Sequence, residues 1–179
     1  MSDEREDHRR LQLEANARAY ANALREAQPK AEASQQHLDQ MLTWAIGLMG
    51  AALFYLPNLL EQACPAGIHP RLVWIAAPWG LGILLALGGR VVGARHRDAD
   101  SIAFYQKWHA IEGALLAGGL DLGRLGKRVL DIMNDRDENI AKHVARSKNL
   151  GRWTDCFYYC THGAFALGVV AVLLGIARC

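Results

Sequence analysis

The residues able to do chemistry in this chain are few and cluster late. Cys156, Cys160 and His162 fall within one short stretch just after Arg152 and Asp155. Thiolate and imidazole groups are metal ligands and nucleophiles. Cys156 and Cys160 stand one helical turn apart and share a face, whereas His162 follows Cys160 by two residues and falls on another. Three ligands spread in this way do not close a tetrahedral zinc site, so neither a metal nor a cofactor is expected. His162 is the candidate intramembrane polar site, because polar side chains at membrane depth are functional candidates by default. A hydrogen bond to a neighbouring helix is its expected use.

Other catalytic signatures are absent from the sequence. It holds no phosphate-cradling loop, no Gly-x-Ser-x-Gly elbow, no His-Glu-x-x-His pair and no paired-cysteine zinc framework. No catalytic residue is assigned, and the chain is not expected to be an enzyme. Arg136 and His143 have a spacing that resembles the Arg-to-His motif of HEPN-type ribonucleases, which implies RNA cleavage. Arg90 with His96 supplies a second instance of the spacing, and Asp137 and Glu138 put negative charge beside the first. An RNA backbone is repelled by that charge, so a nucleic-acid partner is not expected.

The elements that must position these groups follow from where charge is missing. The 179 residues carry a net charge of +2, with 51% hydrophobic residues, averages that conceal a sharp segregation. Three blocks, 41–60, 72–89 and 156–177, contain no Asp, Glu, Lys or Arg. Each is close to the roughly 20 apolar residues that cross a hydrocarbon core as a helix. Helix is the only open form available to them there, since an unpaired backbone group in lipid costs several kcal/mol. The first block begins too late and runs too long for a secretory signal.

Lys and Arg define the orientation. Residues 1–40 carry six and residues 90–155 carry twelve, against only Arg71 and Arg178 elsewhere. The positive-inside rule therefore places the amino terminus and the middle segment in the cytoplasm and the carboxyl terminus outside. Trp44, Trp153, Tyr158 and Tyr159 fall at the inner ends of the spans, and Phe54, Tyr55, Trp74 and Trp79 toward the outer side, as interfacial aromatics should. This topology brings Cys64, in the outer loop, and Cys179 to the same outer side. If that side is oxidising, the two become a candidate disulfide, within one chain or between two copies.

Outside the spans the pattern is amphipathic. Leu13, Ala17, Tyr20, Leu24 and Ala27 make one narrow helical stripe, which Pro29 is expected to interrupt. Phe104, Trp108, Ile111 and Leu115 make another, with Asp98 or Asp100 as a cap and Gly118 and Gly119 as the break. Leu122, Leu125, Val129 and Ile132 begin a third, continued by Ile140 and Val144. Because the middle segment mixes twelve basic with nine acidic residues, these stripes are expected to pack on one another and on the first segment. A helix seeking the membrane surface is more one-sidedly basic.

Within the spans, small residues recur at helical steps. Gly82, Ala86, Gly89 and Gly93 line one face of the second, and Ala164, Gly168, Ala171 and Gly175 one face of the third. Helices in lipid associate by close approach of their backbones, so these are helix-packing faces. They serve packing among the three spans, assembly of several copies, or both.

The expected fold class is therefore all-α: an integral membrane protein with three transmembrane helices plus cytoplasmic amphipathic helices. Its segments are a cytoplasmic amino-terminal helical segment (1–40), a first span (41–62), an outer loop (63–71), a second span (72–93), a cytoplasmic helical segment (94–154), a third span (155–177) and an outer terminus (178–179). The plan of a membrane hairpin followed by cytoplasmic helix resembles the SLATT-type membrane effector domains of bacterial conflict systems. The third span departs from their two-span plan, and no family is assigned. The expected function is that of a self-associating structural, accessory or pore and effector component of a bacterial inner or plasma membrane. Its partners are the lipid bilayer, further copies of itself, with coiled-coil contact one route, and a cytoplasmic protein docked by its helices. The alternative is a membrane-embedded enzyme or small transporter that uses the His162 region. Against transport, the blocks 41–60, 72–89 and 156–177 that make up most of the spans hold no charged residue to mark an ion path.

Overall fold

The computed structural model describes residues 2–63, 69–116 and 122–177, and every described element is helical. In chain order these are α1 (Ser2–Ala63), α2 (His69–Leu116), α3 (Leu122–Met133) and α4 (Glu138–Ala177). Three of the helices are long and apolar enough to cross a membrane. Cys64, Gly67, Gly118, Gly119, Arg178 and Cys179 lie outside the described residues, and so does the candidate disulfide.

Two local expectations change. Pro29 does not interrupt α1, which is helical from one side of it to the other. A proline inside a helix removes one backbone bond and crowds the preceding turn. Good helix formers on both sides carry the helix through, and a Gln28 side-chain amide donating to Glu32 Oε1 at 3.1 Å spans the position. Nor does Asp98 or Asp100 cap a helix, since both lie in the interior of α2. The apolar second block and the amphipathic stripe after it form a single uninterrupted helix, because no glycine or proline falls between Gly93 and Leu116 except Gly113.

The chain divides into two compact units, to each of which α1, α2 and α4 contribute. The first comprises Met1–Ser34 and His96–Asn149. Its core collects one residue set from each amphipathic stripe: Ala17 and Ala21 from α1, Ile111 and Ala114 from α2, Leu125, Val129 and Ile132 from α3, and Ile140 from α4. Leu13, Tyr20, Leu24, Trp108 and Val144 pack around it. Alanine on α1 is what lets the larger side chains of α2 and α3 approach it, which accounts for the Ala-rich stripe. Gly126 serves the same end, since a Cβ there would stand 3.2 Å from Leu13 Cδ1.

The second unit comprises Gln35–Arg95 and Leu150–Cys179. Leu42, Met49, Leu56 and Leu60 of α1 are buried in it with Ile75, Trp79 and Ala86 of α2 and Ala164 of α4. Its two small-residue faces interlock. Gly168 lies directly under the Trp79 indole, and a Cβ at Gly175 would stand 2.6 Å from Ile75 Cδ1. Gly82 admits Met49 on one side and faces Ala164 on the other, and Gly89 lies between Leu42 and Phe157.

That packing generates a paired prediction. Gly168→Ala drives a methyl into a rigid indole and is expected to destabilise the chain by about 1–3 kcal/mol, the usual cost of overpacking. Gly163→Ala, with nothing within 4 Å of the added methyl, should be neutral or gain up to about 1 kcal/mol of helix propensity. Loss of helical circular dichroism during denaturation of the detergent-solubilised chain reads both. Equal effects of the two changes would contradict the close approach at Trp79.

Candidate functional site

The polar residues named from sequence gather on α4, but not as one site. Cys156 and Cys160 are exposed, and their Sγ atoms lie 4.0 Å apart across one turn. His162 is also exposed, with Nδ1 at 2.8 Å from the Tyr158 carbonyl of its own helix and its ring 4.2 Å from that of Tyr158. The expected bond to a neighbouring helix is replaced by this local one, because the imidazole lies on the outward side of α4. Two buried threonines of the second unit likewise bond within their own helix. Thr154 Oγ1 donates to the Leu150 carbonyl at 2.9 Å, and Thr161 Oγ1 to the Phe157 carbonyl at 2.7 Å. Among the described residues no group of three or more His, Cys, Asp or Glu side chains could hold a metal ion.

All eight residues of the two small faces belong to the second unit. Gly82 and Gly89 meet α1 and α4 and Ala86 is fully buried, while a Cβ at Gly93 would stand within 4 Å of Thr154 and Asp39. Ala164, Gly168 and Gly175 meet α2, and Ala171 packs on the cluster of Leu56, Leu60 and Ile75. The outward side of the same helices carries large apolar groups instead: Trp44, Phe54, Leu84, Trp74, Leu167 and Leu173 are all well exposed.

A polar cluster that sequence reading missed lies in the first unit. Asp100, Lys107, Asp135, Ser147 and Lys148 line a hollow of about 190 Å³ with Ala103, Phe104 and Val144. Ser147, itself buried, donates to Asp100 Oδ1 at 2.7 Å. Asp135 receives the largely buried Lys107 ammonium on one oxygen and has the exposed Lys148 at 4.0 Å from the other. Two aspartates and two lysines balance, so the hollow carries no net charge calling for an ion.

Local backbone chemistry builds this cluster. Asp135 has φ 58°, the left-handed region that closes a helix and that Asp tolerates better than most residues. Its N–H bonds to the Ile132 carbonyl at 3.3 Å and that of Arg136 to the Asp131 carbonyl at 2.8 Å, the two bonds of a Schellman ending on α3. Asp137 then opens α4, its Oδ1 accepting from the N–H groups of Asn139 and Ile140 at 3.1 and 3.3 Å. The Asn-Asp-Arg-Asp run was the available signal for this stop and start. What no spacing reveals is that the turn delivers Asp135 to Lys107, 28 positions earlier in the sequence. Of the Arg–His pair, Arg136 is exposed in this turn and His143 is half-buried on α4.

A second hollow, of about 170 Å³, lies between α1 and α2 in the same unit, lined by Leu24, Arg25, Gln28, Phe104, Tyr105 and Trp108. Tyr105 and Trp108 each pack against His109, with ring centroids 4.1 and 4.6 Å away.

Comparison of the chain with protein-family models, with curated proteins and with solved structures finds no match.

The turn yields a prediction of its own. Asp135→Gly keeps the left-handed backbone but leaves the largely buried Lys107 ammonium without its partner, so it should cost about 1–3 kcal/mol. Asp135→Ala loses both and should cost about 1–2 kcal/mol more, the penalty of a Cβ in that conformation. Denaturation of the detergent-solubilised chain compares them. Equal stability of the two variants would contradict the role given to the backbone.

Proposed function

We propose that this chain is an integral membrane component that crosses the bilayer three times, self-associates, and presents cytoplasmic helices for docking a partner. The observation that carries the reading is how little of the apolar stretches the protein covers itself. In the most apolar 18-residue stretches, only 17% of residues are buried in α1, 28% in α2 and 17% in the segment holding α4. In water such surfaces would aggregate, since soluble chains rarely expose contiguous apolar patches beyond a few hundred Å². In lipid they are the solvated surface. The charge asymmetry supports an orientation with residues 1–40 and 94–154 in the cytoplasm and the carboxyl terminus outside, as in a bacterial inner membrane.

A structural or accessory role is favoured over transport by the interior of the second unit. Among the described residues its buried positions are apolar, threonines bonded to their own helix, or Trp79 with its indole N–H, so these residues trace no polar path through one copy, and any pore would form between copies. Because the small faces are occupied within one chain, association of copies falls to the outward faces of the spans. Partner docking finds support in the hollow of Arg25, Tyr105 and Trp108, residue types enriched at protein interfaces. A catalytic or transport role for His162 has less support, its ring being engaged by Tyr158 of its own helix.

Two measurements test the proposal. Epitope tags after Met1, at Gly119 and after Cys179 in membrane vesicles of known sidedness should report the first two inside and the last outside. A carboxyl-terminal tag on the cytoplasmic side would contradict the topology. Light scattering of the detergent-extracted chain should give more than one copy per particle, and a strict monomer would contradict self-association.

A further inference from the structure

The inner end of the second unit carries cations that its own fold does not use. Arg90 and Arg95 of α2 and Arg152 of α4 are exposed, and none has an ion pair or hydrogen bond among the described residues. We propose that they form a binding collar for the phosphodiester of an anionic phospholipid in the cytoplasmic leaflet. The inference rests on the membrane reading above and adds to it a chemical class of lipid.

Helix packing sets the levels of these groups. Gly82 faces Ala164, Gly89 faces Phe157 and Gly93 faces Thr154, so α2 and α4 run antiparallel in a fixed register. That register puts Arg95 level with Arg152, and Arg90 about one turn deeper into the span. Leu42 beside Gly89 and Met49 beside Gly82 extend the register to α1, which puts the exposed Trp44 level with the exposed Tyr159. Both lie about two turns beyond Arg152, whereas Trp153, also exposed, adjoins it. Cations at the end of the span with aromatic rings beneath them follow the order of a lipid leaflet, phosphates outermost and glycerol and acyl chains below.

Charge and ligand geometry select the occupant. Two carboxylates share this end of the unit. Asp39 is half-buried with a partner of its own, and Asp155 is exposed, which leaves three unengaged arginines against one exposed acid. A guanidinium presents a planar set of donors that meets two phosphate oxygens at once. A lipid with a net negative charge neutralises the excess, whereas the ammonium of a zwitterionic headgroup is repelled by it. Contact of one such cation with an anionic leaflet favours binding about fivefold.

The test uses the full chain reconstituted in phosphatidylcholine vesicles, with a trace of phosphatidylglycerol or phosphatidylcholine spin-labelled on its acyl chain. Electron paramagnetic resonance separates lipid immobilised against the protein from bulk lipid. The expected result is an association constant for phosphatidylglycerol about fivefold above that for phosphatidylcholine, falling as salt is raised. The triple variant Arg90→Gln, Arg95→Gln and Arg152→Gln should lose the preference. A control variant, Lys127→Gln, Arg128→Gln and Arg146→Gln, removes the same charge from exposed positions of the first unit and should keep it. Circular dichroism and an unchanged immobilised fraction of phosphatidylcholine confirm that both variants fold and insert. The proposal is overturned if the native chain immobilises both lipids equally, if its preference is insensitive to salt, if the collar variant keeps the preference, or if the control variant loses it. Equal immobilisation leaves the membrane reading standing, whereas absence of any immobilised lipid contradicts that reading as well.

Discussion

The constraint from which the rest follows is that a helix satisfies its backbone hydrogen bonds internally while leaving its side chains to be covered by whatever surrounds it. In α1, α2 and α4 the apolar side chains far outnumber those the protein can cover. Tight packing uses one narrow stripe of each helix, and the remaining Trp, Phe and Leu side chains face outward. On the proposed reading lipid covers them, and the two faces of each helix obey different rules. The inner faces of α2 and α4 carry small residues that admit Leu42, Met49, Ile75, Trp79 and Phe157, because close approach is the main attraction between helices in lipid. The outer face is made of large ones because nothing there limits their size.

The inner face shows how this works at particular residues. Trp79 fits only because Gly168 has no side chain, and Met49 fits only because Gly82 has none. Ala164 is small enough to share Gly82 with Met49, and Phe157 enters where Gly88 and Gly89 leave room. The same device recurs in the first unit, where Ala17 and Ala21 admit Ile111 and Leu125 to a common core. There the driving force is the hydrophobic effect, and the larger partners gain from burial in the usual way.

Much of this was legible in the sequence. The chargeless blocks mark three long apolar helices, and the steps of three and four residues among Gly82, Ala86 and Gly89, and among Ala164, Gly168 and Ala171, mark the faces that meet. The stripes of Leu125, Val129 and Ile132 and of Trp108, Ile111 and Leu115 identify a core by their spacing alone. Less legible was helix continuity. Pro29 reads as a stop and Asp98 as a cap when each is weighed singly, yet both lie inside helices that the good helix formers on either side carry through. The cluster of Lys107 and Asp135 was not legible at all, because it depends on the left-handed turn at Asp135 and on how α2 and α4 meet, which no local pattern encodes. The outward placement of His162 belongs to the same class, since periodicity gives relative faces but not which face is covered.

The central claim is that lipid is the medium around the exposed apolar faces. Nitroxide labels placed singly at Phe54, Leu84 and Leu173, all exposed and apolar, and at Glu112 in the proposed cytoplasmic segment, test it in the reconstituted chain. Collision with molecular oxygen and with a water-soluble nickel chelate would be compared at each position. The account predicts high oxygen and low chelate accessibility at the first three positions and the reverse at Glu112. Chelate accessibility at Leu84 and Leu173 equal to that at Glu112 would contradict it.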